Sequence, residues 1–163
     1  MTSAERAGAL QRGELIPEVS GRTHHGETLE LTSLGGAPTL VMFYPFAFSR
    51  VCSTELSALH EAGDDLRQLG AQALAISCDS VHTLRAYSAE LTAGRELAVD
   101  LISDFWPHGW ISRAFGVFDE GNGAPTRTSF ILGPDLAVRH VQHVPTDQER
   151  DLGEALDALA KAR

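Results

Sequence analysis

A cysteine at the start of a predicted helix is the residue of this chain best placed to do chemistry. Cys52 follows an apolar run, Thr39–Tyr44, that predicts a buried strand, and a helical pattern begins near the cysteine. The thiolate is the nucleophilic form of cysteine, and the free N–H groups and partial positive charge of a helix N-terminus favour it. Ser49 adds a hydroxyl three residues earlier. The pattern predicts a nucleophilic thiol, although a lone cysteine at such a junction is more often structural.

Strand and helix patterns alternate after this cysteine. Leucines at helical spacing predict a helix from Cys52 to Gly70, and Ala71–Ser77 is predicted to be a second buried strand. A helix that Asp79-Ser80 could cap follows and runs to about Ala93, and Asp100–Ser103 is a short third strand. Strands that alternate with helices in this way are typical of an α/β fold.

The two ends of the chain add antiparallel elements. The segment from Ser20 to Thr28 predicts a hairpin around His24-His25-Gly26. The later predicted elements are, in order, a short helix over His108–Phe115, a turn-rich loop over Asp119–Ala124, hairpin strands over Thr128–Leu132 and Ala137–Gln142, and a last helix with a capping box formed by Thr146 and Glu149. We therefore expect an α/β fold with a central mixed β-sheet, flanked by helices and preceded by an N-terminal β-hairpin.

Length and composition indicate one domain without a nucleic-acid or membrane surface. The 163 residues are enough for a single core, and we expect one domain over 1–163, with 1–12 as a loosely ordered lead-in. The net charge of −9 disfavours binding to nucleic acid or to anionic lipid. The polar start of the chain gives no sign of a signal peptide, so a cytoplasmic location is expected.

Five residues match the active-site motif of a known family. Pro45-x-x-x-Ser49-x-x-Cys52, followed by Glu55, resembles the active-site motif of the peroxiredoxins, and Arg127 stands where that family has its active-site arginine. Further matching segments are Ala75–Ser80, Ser103–Gly109 and Ala114–Val117. The segments Phe46-Ala47-Phe48 and 104–109 are similar to those of the one-cysteine enzymes typified by alkyl hydroperoxide reductase E. The resemblance implies a thioredoxin-like fold, a thiol-dependent peroxidase, a homodimer and no cofactor.

The resemblance also implies a role for each motif residue. Cys52 would attack a hydroperoxide and become a sulfenic acid, which is the first step of cysteine oxidation. Arg127, always charged and with a rigid donor fork, would hold the thiolate and a peroxide oxygen. Ser49 and the backbone N–H of Val51 would donate to the same atoms. Pro45 would form a wall of the pocket, and Glu55 would orient the arginine. The substrates expected are hydrogen peroxide and organic hydroperoxides, with peroxynitrite as a further candidate.

Cys78 decides how the sulfenic acid is reduced. The chain has two cysteines, and neither lies near the C-terminus or a few residues after Cys52, where other peroxiredoxins carry a resolving thiol. Cys78 follows the second buried strand, so it is either a buried structural thiol or an intramolecular resolving thiol. If it is structural, an external thiol must act: a low-molecular-weight thiol, or a glutaredoxin-like or thioredoxin-like protein.

Two other functions use a reactive thiol on a similar fold. A thioredoxin-type disulfide oxidoreductase needs a second cysteine where the chain has Glu55, which disfavours it. A non-catalytic redox-sensing or binding module on the same fold also needs a reactive thiol and is a second possible function.

The aromatic residues Phe46 and Phe48 are equally compatible with core packing and with a pocket wall. Trp106 and His108 fit packing under a loop better than lining the site.

The seven histidines do not predict a metal site. His140 and His143 lie three apart on a predicted strand and so point to opposite faces. The pair His24-His25 has no acidic or cysteine residue at ligand spacing in the sequence. We expect no metal.

Overall fold

The structure is a computed structural model that describes residues 6–163. Its strands are β1 (Ser20–Thr23), β2 (Thr28–Glu30), β3 (Thr39–Phe43), β4 (Gln72–Ser77), β5 (Asp100–Ser103), β6 (Phe118–Asp119), β7 (Ala124–Pro125), β8 (Arg127–Leu132) and β9 (Val138–Val144). Its α-helices are α1 (Arg50–Glu61), α2 (Gly63–Gln68), α3 (Val81–Thr92), α4 (Trp110–Ala114) and α5 (Leu152–Lys161). A 3₁₀ turn lies at Leu31–Leu34.

Seven strands form one mixed sheet in the order β2-β1-β5-β4-β3-β8-β9. The central strands β5, β4 and β3 are parallel, and the outer strands pair antiparallel. All five residues of β3 and all six of β8 are buried, as expected for strands covered on both faces. The predicted fold class, with a mixed sheet and an N-terminal hairpin, is confirmed.

Alternate residues of the central strands pack into two separate core layers. Val41 and Phe43 point to the layer that contains α4, whereas Leu40 and Met42 point to the layer formed by α1, α3 and α5. Because side chains alternate along a strand, each face of the sheet has its own apolar set. Cys52 lies in the second layer, at the end of the sheet where β3 leads into α1.

The helix predicted from Cys52 to Gly70 is interrupted. It forms α1 and α2 with a break at Ala62, and Gly63 packs closely against Ala98, since a Cβ on Gly63 would lie 2.9 Å from the Ala98 Cβ. The loop predicted over 119–124 contains the turn of a small hairpin made by β6 and β7. Of the predicted lead-in, 1–5 lie outside the described residues, whereas Leu10 is buried and its amide donates to the Phe115 carbonyl.

The predicted capping box at Thr146 and Glu149 is wrong. Helix α5 begins at Leu152, and the Asp151 side chain caps it by accepting from the Glu154 backbone N–H. The segment before Asp151 is bound elsewhere, because Arg127 donates to the Thr146 carbonyl and Arg150 binds Glu55. Contacts with the core therefore decide where the helix starts.

The cap at Asp151 contributes measurably to stability. Replacing Asp151 with alanine is expected to lower the free energy of unfolding by about 1 kcal/mol, because an N-cap acceptor is lost. Thr146→Ala is the matched control and is expected to leave stability nearly unchanged, since only its backbone carbonyl is used. Urea unfolding monitored by circular dichroism measures both. A larger loss in the Thr146 variant than in the Asp151 variant would reverse the assignment of the cap.

Candidate active site

Cys52 lies on the first turn of α1, immediately after the loop that follows β3. Its side chain is fully buried, and Pro45 in the preceding loop is also buried. The Ser53 N–H makes the first hydrogen bond of the helix, to the Ser49 carbonyl at 2.9 Å. The N–H groups of Val51 and Cys52 come before that bond, so they belong to the unpaired donors of the helix N-terminus. The predicted junction of strand, loop and helix is present.

Arg127 reaches Cys52 from the neighbouring strand. Met42 of β3 pairs with Ser129 of β8, and this register places Arg127 level with the end of β3. One terminal nitrogen of the guanidinium, Nη2, donates to the Cys52 Sγ over 3.1 Å, and the side chain is 3% exposed. A buried cation in contact with sulfur stabilises a thiolate more than a neutral thiol.

Glu55 lies between two buried arginines. Arg127 donates to its Oε1 at 2.6 Å, and Arg150 donates to both carboxylate oxygens at 2.8 Å from its side chain and once from its backbone N–H. Burial opposes ionisation of Glu55, but the hydrogen bonds and charge of Arg150, with the charge of Arg127, outweigh it and lower its pKa. Glu55 is therefore an ionised carboxylate that orients the arginine next to the sulfur.

Arg150 is a site residue that the sequence did not reveal. Its Nη1 also donates to the Phe43 carbonyl at 2.6 Å and to the Ser129 Oγ at 3.1 Å. The residue follows a run of exposed loop positions, and no spacing connects it with the motif. A lone arginine in a polar loop gives no signal in a single sequence. It links the loop before α5 to the end of β3 and to α1.

Ser49 occupies the N-cap position of α1 without capping the helix. Its hydroxyl makes no cap hydrogen bond, and its Oγ is buried without a hydrogen-bond partner among residues 6–163. Buried polar atoms nearly always have partners, so a free one three residues before Cys52 is available to a molecule that enters the site. Arg127 thus contacts Cys52, and Ser49 lies at the N-cap of the helix that carries the cysteine.

Comparison with known proteins assigns the chain to a family. The model of the AhpC/TSA family matches residues 12–141, which is most of the chain. The chain belongs to this peroxiredoxin family. It is 30% identical over 152 residues to alkyl hydroperoxide reductase E of Mycobacterium tuberculosis, covering 93% of this chain and 97% of that protein. It is also 30% identical over 149 residues to peroxiredoxin 2 of Thermoplasma acidophilum, covering 90% and 73%.

Solved structures agree with this assignment at the level of the fold. AhpC of Enterococcus faecalis superposes with a TM-score of 0.85 at 24% identity, covering 93% of this chain and 92% of that one. A cysteine-to-serine mutant of peroxiredoxin 6 of Arenicola marina gives 0.84 at 22% identity, covering 93% and 72%. The predicted family, its likeness to alkyl hydroperoxide reductase E and the enzyme class, a thiol-dependent peroxidase, are confirmed.

The second cysteine of this peroxiredoxin lies in a different environment. Cys78 is buried beside Asp104, with its Sγ 3.9 Å from the carboxylate, and Asp104 is bound by the N–H groups of Ile111 and Ser112 at the start of α4. Burial, with the charge of Asp104, raises the pKa of Cys78 to about 12. Cys52 packs in the layer of α1 and α3, whereas the Asp104 neighbour of Cys78 is bound at the start of α4. These contacts favour the structural interpretation of Cys78.

The aromatic residues near the motif are largely exposed. Phe46 and Phe48 are each 48% exposed, and Trp106 is 83% exposed, so none of the three packs in the core. His108 is also exposed, and its Nε2 lies 2.7 Å from the Gly123 carbonyl in the loop between β6 and β7. The interpretation of Trp106 as a residue packed under a loop is therefore wrong.

The histidine pair has an acidic neighbour after all. Folding brings Asp100 of β5 next to His24 and His25, with ligand atoms within 4.8 Å of one another. The sequence could not show this because 75 or more positions separate Asp100 from the pair. The Leu101 N–H donates to His24 Nδ1 at 3.2 Å, which leaves the proton of a neutral ring on Nε2. That hydrogen bond opposes metal binding through Nε2, and the absence of a metal stays a prediction.

The other two candidate histidines do not converge. His140 Nε2 pairs with Glu154, and His143 Nδ1 with the Thr128 hydroxyl.

Among the helices within 6–163, none is long and apolar enough to cross a bilayer.

Proposed function

We propose that Cys52 is the peroxidatic nucleophile of this enzyme. Its thiolate attacks the terminal oxygen of a hydroperoxide, so that an S–O bond forms as the O–O bond breaks. The sulfur is oxidised to a sulfenic acid, and the leaving oxygen takes a proton and departs as water or an alcohol. The observation that carries the proposal is the 3.1 Å contact between Arg127 Nη2 and Cys52 Sγ inside a buried ion network.

The neighbouring groups have complementary roles in this step. Arg127 stabilises the thiolate and then the negative charge that develops on the leaving oxygen. The Ser49 hydroxyl, which lacks a partner among the described residues, donates to the bound peroxide, as does the Val51 N–H. Pro45 closes the pocket without adding a competing donor. Donors fixed before the substrate arrives need little reorganisation during the reaction.

We propose hydrogen peroxide and organic hydroperoxides as substrates, with peroxynitrite as a further candidate. Relatives named alkyl hydroperoxide reductase support the organic hydroperoxides. The test is stopped-flow oxidation of the reduced protein by each peroxide. Oxidation much faster than that of an ordinary thiol, and lost in Cys52→Ser, supports the enzyme. A sluggish rate that Arg127→Ala leaves unchanged would instead support a redox-sensing or binding module.

The reductant is proposed to be an external thiol. A first thiolate attacks the sulfenic sulfur, forming a mixed disulfide and releasing the oxygen as water, and a second thiol then frees the Cys52 thiolate. Both electrons come from the two external thiols. A low-molecular-weight thiol, a glutaredoxin-like protein and a thioredoxin-like protein all satisfy this chemistry. Steady-state peroxide consumption with each donor in turn distinguishes them.

Cys78 offers a direct test of the one-cysteine proposal. Cys78→Ala is expected to retain peroxide turnover with an external thiol within about twofold, because a protonated thiol buried beside Asp104 is a poor nucleophile. Turnover is measured by the loss of peroxide over time. A drop to the level of Cys52→Ser would mean that Cys78 resolves the sulfenic acid.

A cytoplasmic homodimer is proposed for this enzyme. The proposal rests on membership of the peroxiredoxin family. The exposed Phe46, Phe48, Phe105 and Trp106 supply apolar surface of the kind that association covers. Analytical ultracentrifugation at micromolar concentration tests the dimer, and a sedimenting species with the mass of one chain would contradict it.

A further inference from the structure

Tyr87 on α3 contacts the chain on both sides of the turn that carries Cys52. Its hydroxyl shares a 3.0 Å hydrogen bond with the hydroxyl of Ser53, the residue after the cysteine. Its ring lies 4.8 Å from the ring of Phe48, the residue before Ser49. Tyr87 itself is 1% exposed and packed in the core layer of α1 and α3. One rigid side chain therefore connects a fixed helix to both ends of the active-site turn.

Phe48 needs such a contact because its backbone is in an unfavourable conformation. Its φ of +67° lies in the left-handed region, which a bulky residue rarely adopts. Such conformations persist only where the surroundings fix them. Half of the Phe48 surface is exposed, so general burial does not fix it. The restraints around it include the Tyr87 ring, the hydrogen bond from the Ala47 N–H to Asp79 at 2.9 Å, and the hydrogen bond from the Ser49 N–H to the Phe46 carbonyl at 3.4 Å.

We infer that Tyr87 is a positioning residue for peroxide reduction, holding Ser49 and Cys52 in place through Phe48 and Ser53. Relaxation of Phe48 would rotate the backbone at Ser49 and move the hydroxyl proposed to meet the peroxide. Loss of the hydroxyl contact would free Ser53 and the helix turn next to the sulfur. The inference rests on the peroxidatic role proposed for Cys52. Burial raises the pKa of Tyr87 to about 12, so its hydroxyl stays neutral in the working range.

Two variants separate the two contacts of Tyr87. Tyr87→Phe removes the hydrogen bond and keeps the ring, and Tyr87→Leu removes both. Since displacements near 1 Å cost about 10²-fold in rate, we expect a roughly threefold slower Cys52 oxidation for Phe and about tenfold for Leu. Leu84→Val is the control, because Leu84 is a fully buried residue of the same helix and core layer. It is expected to lower stability without changing the oxidation rate constant of the folded protein.

A second-site variant tests the mechanism itself. Glycine adopts positive φ without steric cost, so in Phe48→Gly the conformation of the turn no longer depends on the ring of Tyr87. Tyr87→Leu is then expected to slow oxidation clearly less in the Phe48→Gly background than in the wild type. The ratio of the Tyr87→Phe rate constant to the Tyr87→Leu rate constant isolates the effect of the ring. An equal ratio in the wild-type and Phe48→Gly backgrounds would overturn the inference, because the ring would then act independently of Phe48.

The oxidation rate of the wild type distinguishes a failure of the peroxidatic role of Cys52 from a failure of the positioning role of Tyr87. All rate constants are measured by stopped flow with hydrogen peroxide on protein shown to be folded by circular dichroism. If wild-type Cys52 reacts no faster than an ordinary thiol, the peroxidatic proposal itself fails. If the wild type is fast and both Tyr87 variants match it, the peroxidatic role stands and the positioning role of Tyr87 is rejected.

Discussion

Arg127→Gln is expected to slow the oxidation of Cys52 by peroxide about 10²- to 10³-fold, the usual effect of removing a preorganised donor from a reacting site. The guanidinium donates to the sulfur at 3.1 Å, and glutamine has neither its charge nor its reach. The thiolate and the charge developing on the leaving oxygen both lose a partner. The measurement is the second-order rate constant from stopped flow at several peroxide concentrations.

Two further arginine variants make this result specific. Arg127→Lys keeps a charge but loses the rigid fork that binds Cys52 and Glu55 together, so an intermediate rate is expected. Arg139→Gln is the matched control, because Arg139 pairs with Asp135 at the exposed turn before β9 and should have no effect. Equal rates in the Arg127→Gln variant and the wild type would remove Arg127 from the mechanism.

Glu55→Gln is expected to lower the free energy of unfolding by about 3–5 kcal/mol, the typical effect of removing one member of a buried ion pair. The carboxylate is the common partner of Arg127 and Arg150, and all three side chains are at most 3% exposed. The variant leaves two buried cations without their anion. Urea unfolding gives the value, with Glu154→Gln as control. The Glu154–His140 pair is partly exposed and a glutamine oxygen can still accept from Gln142, so this variant should change stability by less than about 0.5 kcal/mol.

The same carboxylate predicts how stability depends on pH. The pKa of Glu55 is lowered in the folded protein, so it binds a proton less readily folded than unfolded. The contribution of Glu55 to the free energy of unfolding is therefore complete above its unfolded pKa of 4.5. It is lost as the pH falls through the lower pKa of the folded protein. Glu55→Gln should flatten the acid side of the stability profile. An unchanged profile in the variant would show that other groups cause acid unfolding.

Most of the fold follows from local patterns in the chain. The buried run at Thr39–Phe43, the break at Gly70 and the cap at Ser80 are short-range signals, and each appears in the structure close to its predicted place. The hydrogen bond between Arg127 and Cys52 does not follow from a local pattern. The two lie 75 positions apart, and no periodicity connects them. Only the resemblance to the peroxiredoxin motif predicted that pair.

The features that sequence reasoning missed depend on contacts between distant segments. Arg150 lies 95 positions from Glu55, and its role is visible only when the loop before α5 reaches the end of β3. The same contact explains why the N-cap of α5 is Asp151 and not the predicted Thr146. Tyr87 was part of a helical pattern, and nothing local indicates that its ring meets Phe48. A single sequence specifies local structure well but shows such partners only through a known motif.

We propose that peroxide oxidises Cys52 and that a thiol from outside the chain then reduces it. The most direct measurement is the intact mass of the reduced protein after one equivalent of hydrogen peroxide, followed by peptide mapping. We predict a gain of one or two oxygen atoms, located on Cys52 and absent from the Cys52→Ser variant. Loss of two hydrogens with a peptide linked through Cys52 and Cys78, or oxygen located on Cys78 alone, would contradict the claim.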